Sequence, residues 1–307
     1  MLNSYDKINS KDSLFIDYLG FIDKESFYIN CTRILCAMGI ISGVFQKEEC
    51  FLLSSDVQDF SKVSFIEYRY IGKTIYSPNS VFPIDRKELR QKENVFFDRI
   101  TVESFTKLVN KMIIDLRFEN TIFAFMDCLD YPLETQTVCL STVLEGLCNH
   151  VEENNEDKFL AINNKSQAKA LRKEMKDLLP KYQPYLNPDG DRILNARIDQ
   201  INQETNGKRF EKVINILGIK LNEYENQNLL NRNVFLHGNI DPQFEAISFR
   251  PTDPDFYKTL CSSLVFIRLL YKMLLRIIDY SGYINNPLFT FSDLFLFPEI
   301  EEKIIKV

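Results

Sequence analysis

Histidine is nearly missing from this 307-residue sequence, which has only His150 and His237. A zinc or two-metal site needs three or four His, Cys or carboxylate ligands at workable spacing, and neither histidine has such a set nearby in sequence. No metal and no cofactor is therefore expected. The Asp-rich turn NPDGDR at 187–192 does not reverse this. Its Gly190 is misplaced for a calcium loop and Ile198 stands where the last carboxylate should be, so it reads as a turn and a helix cap. Walker, GxGxxG and GxSxG patterns are also missing, which leaves ATP phosphoryl transfer and serine hydrolysis without textual support. No CxxC pair occurs, and no secretory leader is expected. The seven cysteines sit mostly in apolar runs and read as reduced core residues of a cytoplasmic protein. Long apolar runs are lacking as well. Ile34–Phe45 falls short of the roughly 20 residues of a spanning helix, and Arg268, Lys272 and Arg276 interrupt Leu264–Ile278, so no membrane segment is expected. The lack of tryptophan excludes nothing. A net charge of −6 argues against sequence-blind binding of nucleic acid over the whole surface, while leaving room for a local basic groove.

What is present is ample apolar content for a core and a change of texture along the chain. Ser26–Phe45 reads as a mostly buried helix, followed by the strand-like runs CFLLSS and VSFIEYRYIG. Pro78, Asn79 and Pro83 mark a loop before a helix that Thr101 caps, with Val102, Phe105, Leu108, Val109, Met112, Ile113 and Leu116 at spacings of 3 and 4. Beyond about residue 120 strand signals nearly vanish. One long helix carries Leu133, Leu140, Leu144, Leu147 and Val151, reaching back as far as Thr121 with a kink at Pro132. Another follows from Lys165, with Ala168, Leu171, Met175 and Leu178 on its buried face. Further helical text includes 220–236, and a final helix spans Asp255–Ser281 and stops at Gly282. The fold class expected is mainly α: an N-terminal α/β portion over 1–118, an antiparallel helical bundle over 119–284 and a tail over 285–307.

The chemistry-bearing cluster is NRNVFLHG at 231–238. Asn233 and His237, four apart, share a helix face, so the amide can orient the imidazole. Arg232 lies five positions from His237, about 140° around an ideal helix, and one straight helix does not aim both at one atom. Either the helix frays at Gly238 so that His237 swings, or a second copy supplies the complementary group across a two-fold axis. The plain alternative is that Arg232 pairs with a surface carboxylate and His237 caps a helix C-terminus.

RNVFLH resembles the R-N-x3-H signature of the HEPN superfamily, helical-bundle proteins rich in RNA-cleaving toxins and anti-phage effectors. Together with the LEGL helix and the DYSGY ending, it is similar to the HEPN portion of ApeA-like abortive-infection proteins, over residues 120–284. The resemblance implies a metal-independent endoribonuclease acting as a homodimer on RNA, in toxin or anti-phage defence biology, with a second defence or antitoxin protein as a possible partner. Arg232 would stabilise the phosphodiester in its transition state, His237 would move the proton, and Asn233 would orient His237. Glu145 is a further candidate, since family members often carry an acidic residue facing the motif. Residues 1–118 carry no nameable motif. His150 reads as a helix-end residue. Two basic stripes could follow an RNA backbone: Lys165, Lys169 and Lys176, with Arg172 or Lys173, and then Arg268, Lys272 and Arg276, whose apolar helix leaves the cations facing solvent or a cleft. A second reading keeps the same residues in a non-catalytic nucleotide-binding or interaction module, such as an antitoxin or sensor subunit.

Overall fold

Helix α1 (Lys24–Ser42) begins where the Asp23 carboxylate accepts the Ser26 N–H, and it ends at Gly43, whose φ of 77° favours glycine. The computed structural model describes residues 16–17, 22–47, 49–57, 61–76, 100–203, 206–236, 248–249, 254–290, 295–296, 302 and 304–307. After α1 come β1 (Val44–Phe45), the hairpin of β2 (Glu49–Ser55) with β3 (Val63–Tyr70), and β4 (Ile75–Tyr76), which pairs with β1. With Leu52 opposite Glu67, one hairpin face holds Cys50, Leu52, Glu67 and Arg69. Glu67 accepts from Lys24, while Arg69 reaches Glu25 and lies 4.1 Å over the Tyr28 ring, fastening the hairpin to α1. The strands predicted here are present.

Helix α2 (Val102–Ile114) is capped by Thr101, whose hydroxyl accepts the Ser104 N–H at 3.0 Å. The apolar periodicity continues to Leu116, but the helix does not. Asp115 leaves it and caps α3 (Leu116–Cys128), its Oδ1 accepting the N–H groups of Arg117 and Phe118. Helix α4 (Leu133–Glu153) is separate from α3, which corrects the single kinked helix expected from Thr121. Pro132 stands at the N-cap of α4, where its missing N–H removes no helical bond. The chain turns there and returns antiparallel, with Phe118 beside His150 and Gly146 so close to Thr121 that an added Cβ would lie 2.5 Å from its hydroxyl.

There follow α5 (Glu156–Phe159), α6 (Lys165–Leu178), a 3-10 segment (Leu179–Tyr185), α7 (Gly190–Asp199), α8 (Asn206–Ile216), α9 (Glu223–Leu236), α10 (Pro254–Ile277) and α11 (Pro287–Thr290). On α6 only Ala168 is fully buried and Leu178 is exposed, so its inner face is narrower than the periodicity predicts. Helix α10 stops before Gly282 because Asp279 adopts a left-handed φ of 61° and the Tyr280 N–H closes on the Leu275 carbonyl. Strand pairing returns late in the chain: β5 (Ser248–Phe249) pairs with β7 (Phe295–Leu296), and β6 (Tyr283–Asn285) with β8 (Ile304–Lys306). The last residues are therefore tied to the body, Val307 donating its N–H to the Gly282 carbonyl.

Helices α4 and α10 form the centre. Thr137 meets Ser263 at 2.7 Å near one end, and His150 and Arg276 line one cleft at the other, so the two helices run parallel. The antiparallel order holds for α3 with α4 and for α9 with α10. The long chain between α4 and α10 leaves their relative direction open. The apolar core runs from Cys36, Phe45 and Ile75 through Ile122, Phe125 and Leu144 to Leu270, Leu274 and Ile284. A boundary between 118 and 119 would fall inside α3, and the core is continuous across it. Among the described residues, no helix is long and apolar enough to cross a membrane.

Candidate functional site

The helix that carries the motif, α9, starts with a reciprocal cap. Asn222 Oδ1 accepts the Glu225 N–H at 2.8 Å, and Glu225 Oε2 accepts the Asn222 N–H at 3.0 Å. Glu225 is entirely buried and is the anchor of the helix. Lys272 donates to both of its oxygens, at 2.7 and 2.9 Å, and Arg268 Nε lies 2.9 Å from Oε1. Asn228, also fully buried, donates to the Ser262 carbonyl, and Leu229 fills the space beside it. Positions 225, 229 and 232 recur at helical spacing, so the backbone at Arg232 stands two turns along the anchored face. Arg232 and Asn233 belong to the helical backbone of α9. Their side chains, and all of His237 and Gly238, lie outside the described residues.

The stripe Arg268, Lys272 and Arg276 is corrected in part. Arg268 is 1% exposed and Lys272 7%, and both point inward at Glu225, so neither faces solvent to follow a phosphate backbone. A buried cation requires a partner, and here one carboxylate from α9 serves two. Arg276 is half-buried and donates Nη2 to the Gly218 carbonyl. The pattern Asn222-x-x-Glu225 was the sequence signal for this anchor, because it is a capping-box pattern ahead of an apolar pair. Glu145 is also engaged. Arg209 of α8 bonds Glu145, Glu152 and Asn149, one face of α4, and this clamps the two helices together. Lys165 and Lys169 of α6 are exposed, with Lys165 3.5 Å from Glu156, while Lys176 pairs with Asp199 at 2.7 Å.

A second polar knot lies where α2, α3 and α4 meet. His150 is buried against the Phe118 ring, 4.4 Å between centroids, and its Nδ1 lies 2.8 Å from Asp115 Oδ2. Burial, above all, pushes the imidazole below its ordinary value. The Asp115 hydrogen bond opposes this, and nearby Lys111 adds to it. Asp115 feels burial as an upward push, but the Phe118 N–H, His150 and the Arg117 N–H hold it below the ordinary carboxylate value. Among the described residues, no three His, Cys, Asp or Glu side chains gather as a metal ligand set.

No family model, curated protein or solved structure matches this chain. Its assignment rests on its own residues.

Two predictions follow from these two knots. Glu225→Ala strands two buried cations and should cost about 3–5 kcal/mol, whereas Lys272→Met leaves the Arg268 pairing and should cost less; urea unfolding of both variants measures the order. His150, with a folded pKa below the unfolded value of about 6.5, binds its proton more readily when the chain unfolds. Stability should therefore fall as pH drops through about 6.5. His150→Gln should flatten that fall, as read by thermal unfolding between neutral and mildly acidic pH. A profile identical to that of the parent would contradict the assignment.

Proposed function

We propose that the protein is a metal-independent endoribonuclease of the HEPN kind, working as a homodimer and serving as a toxin or anti-phage effector. The observation that carries the reading is the order Arg232, Asn233 and His237 in RNVFLH, whose first five residues lie on a helix with its base locked by a buried ion triad. Support comes from chemistry. Arg232 stays charged and presents a planar fork of donors to a phosphodiester gaining charge. His237 takes the proton of the ribose 2′-OH as that oxygen bonds to phosphorus. The bond from phosphorus to the 5′-oxygen then breaks, and that oxygen takes up a proton. The products are a 2′,3′-cyclic phosphate and a 5′-hydroxyl, and the reaction needs the 2′-OH that only RNA carries. Exposed Lys165 and Lys169 offer sites for the RNA backbone.

Arg232→Ala and His237→Ala should each remove RNA cleavage and growth inhibition on expression while leaving the melting temperature nearly unchanged. The His237 variant should lose about 10²- to 10⁴-fold in rate. End-group analysis of a cleaved oligonucleotide checks the mechanism, since a 5′-phosphate product would refute attack by the 2′-OH.

On an ideal helix Arg232 and His237 would stand about 140° apart, and this motivates the dimer. If one copy gives the arginine and its two-fold mate the histidine, mixing the two inactive variants should restore about a quarter of parental activity, from one intact site in half of the dimers. A mixture as inactive as its components, under conditions where subunits exchange, would place both groups in one copy.

A further inference from the structure

A cleft of about 430 Å³ opens where α2, α4 and the end of α10 meet, lined by Lys111, His150, Asn154, Arg276, Asp279 and Ser281. Asp279 pairs at 2.9 Å with Lys107, which Glu103 shares at 3.1 Å, and Asp115 is occupied by His150 and by the N-terminus of α3. Lys111 and Arg276, from two different helices, have no carboxylate partner among the described residues. Arg276 is held by its Nη2 bond to the carbonyl of Gly218.

His150 adds an acceptor to the cleft wall. With Asp115 accepting from Nδ1–H, Nε2 is left as an acceptor, and its one contact is the Asn154 amide at 3.5 Å. The ring is more than nine-tenths buried and lines the cleft. Lys111 and Arg276, which line the cleft without a carboxylate partner among the described residues, suit an oxyanion, and the Nε2 acceptor of His150 suits a hydroxyl beside it. The volume exceeds that of phosphate alone and falls in the range of sites for small organic ligands.

We infer that this cleft binds a phosphomonoester the size of a mononucleotide, its phosphoryl group held by Lys111 and Arg276 and a hydroxyl of the same ligand donating to His150. This site is separate from Arg232 and His237, and its failure would leave the ribonuclease reading untouched.

The test is calorimetric titration of the full chain with inorganic phosphate and with 5′-AMP, using adenosine as the phosphate-free control. At least one of the two phosphate probes should bind saturably, at one per chain, and more tightly than adenosine. Lys111→Met should weaken binding about tenfold or more, the loss of one charge-assisted contact. Lys111 is half-buried, so this variant should keep the parental circular dichroism, and it carries the test if Arg276→Gln does not fold. No saturable binding of either phosphate probe at millimolar concentration would overturn the inference. So would equal affinity in the parent and in Lys111→Met.

Discussion

A carboxylate with no exposure to water, Glu225, is shared by two cations from the neighbouring helix, and the placing of α9 depends on this contact. Alone in the interior, any of the three charges would be strongly destabilising; together, each has an opposite charge in contact. The contact is also directional. An apolar seam between α9 and α10 would tolerate rotation of either helix, but Lys272 reaching both carboxylate oxygens, with Asn228 on the Ser262 carbonyl, defines the angular setting of α9. That setting is inherited two turns later by the backbone at Arg232.

The same device recurs through the bundle. Asp115 ends one helix, caps the next and holds His150 on a third. Arg209 binds three positions along α4, and Arg33 bridges α1 to Glu119 of α3 at 2.8 Å. Around these polar knots the apolar side chains of α3, α4 and α10 supply most of the stabilising burial. Burial gives the fold its stability, and the knots make each helix pairing particular.

Much of this was legible in the sequence, and the failures share a cause. Thr101 was recognised as a cap, and the strand runs after α1 were recognised by their β-branched and aromatic content. Local signals decided both. The helix break at Asp115 was missed because the apolar period runs straight through it; only the capping geometry of the carboxylate shows where one helix yields to the next. Arg268 and Lys272 were read as cations facing solvent or a cleft because their partner stands more than forty positions upstream on another helix. Spacing within α10 contains no trace of Glu225. Glu145 was singled out only because the resemblance implies an acidic residue facing the motif, while Arg209, which engages it, gave no signal of its own. The side chains of Arg232 and Asn233, and all of His237, lie outside the described residues, so the motif is still read from sequence, now with its first residues on a helix whose anchoring is known.

Catalysis in this account requires one atom of the substrate, the 2′-oxygen beside the scissile phosphate, and a histidine to take its proton. The most direct measurement uses a DNA oligonucleotide with a single ribonucleotide at a known position. The purified protein should cut only at the phosphodiester 3′ to that ribonucleotide, with EDTA present, and should leave the all-DNA strand intact. Cleavage of the all-DNA strand, or of bonds away from the ribonucleotide, would contradict the mechanism.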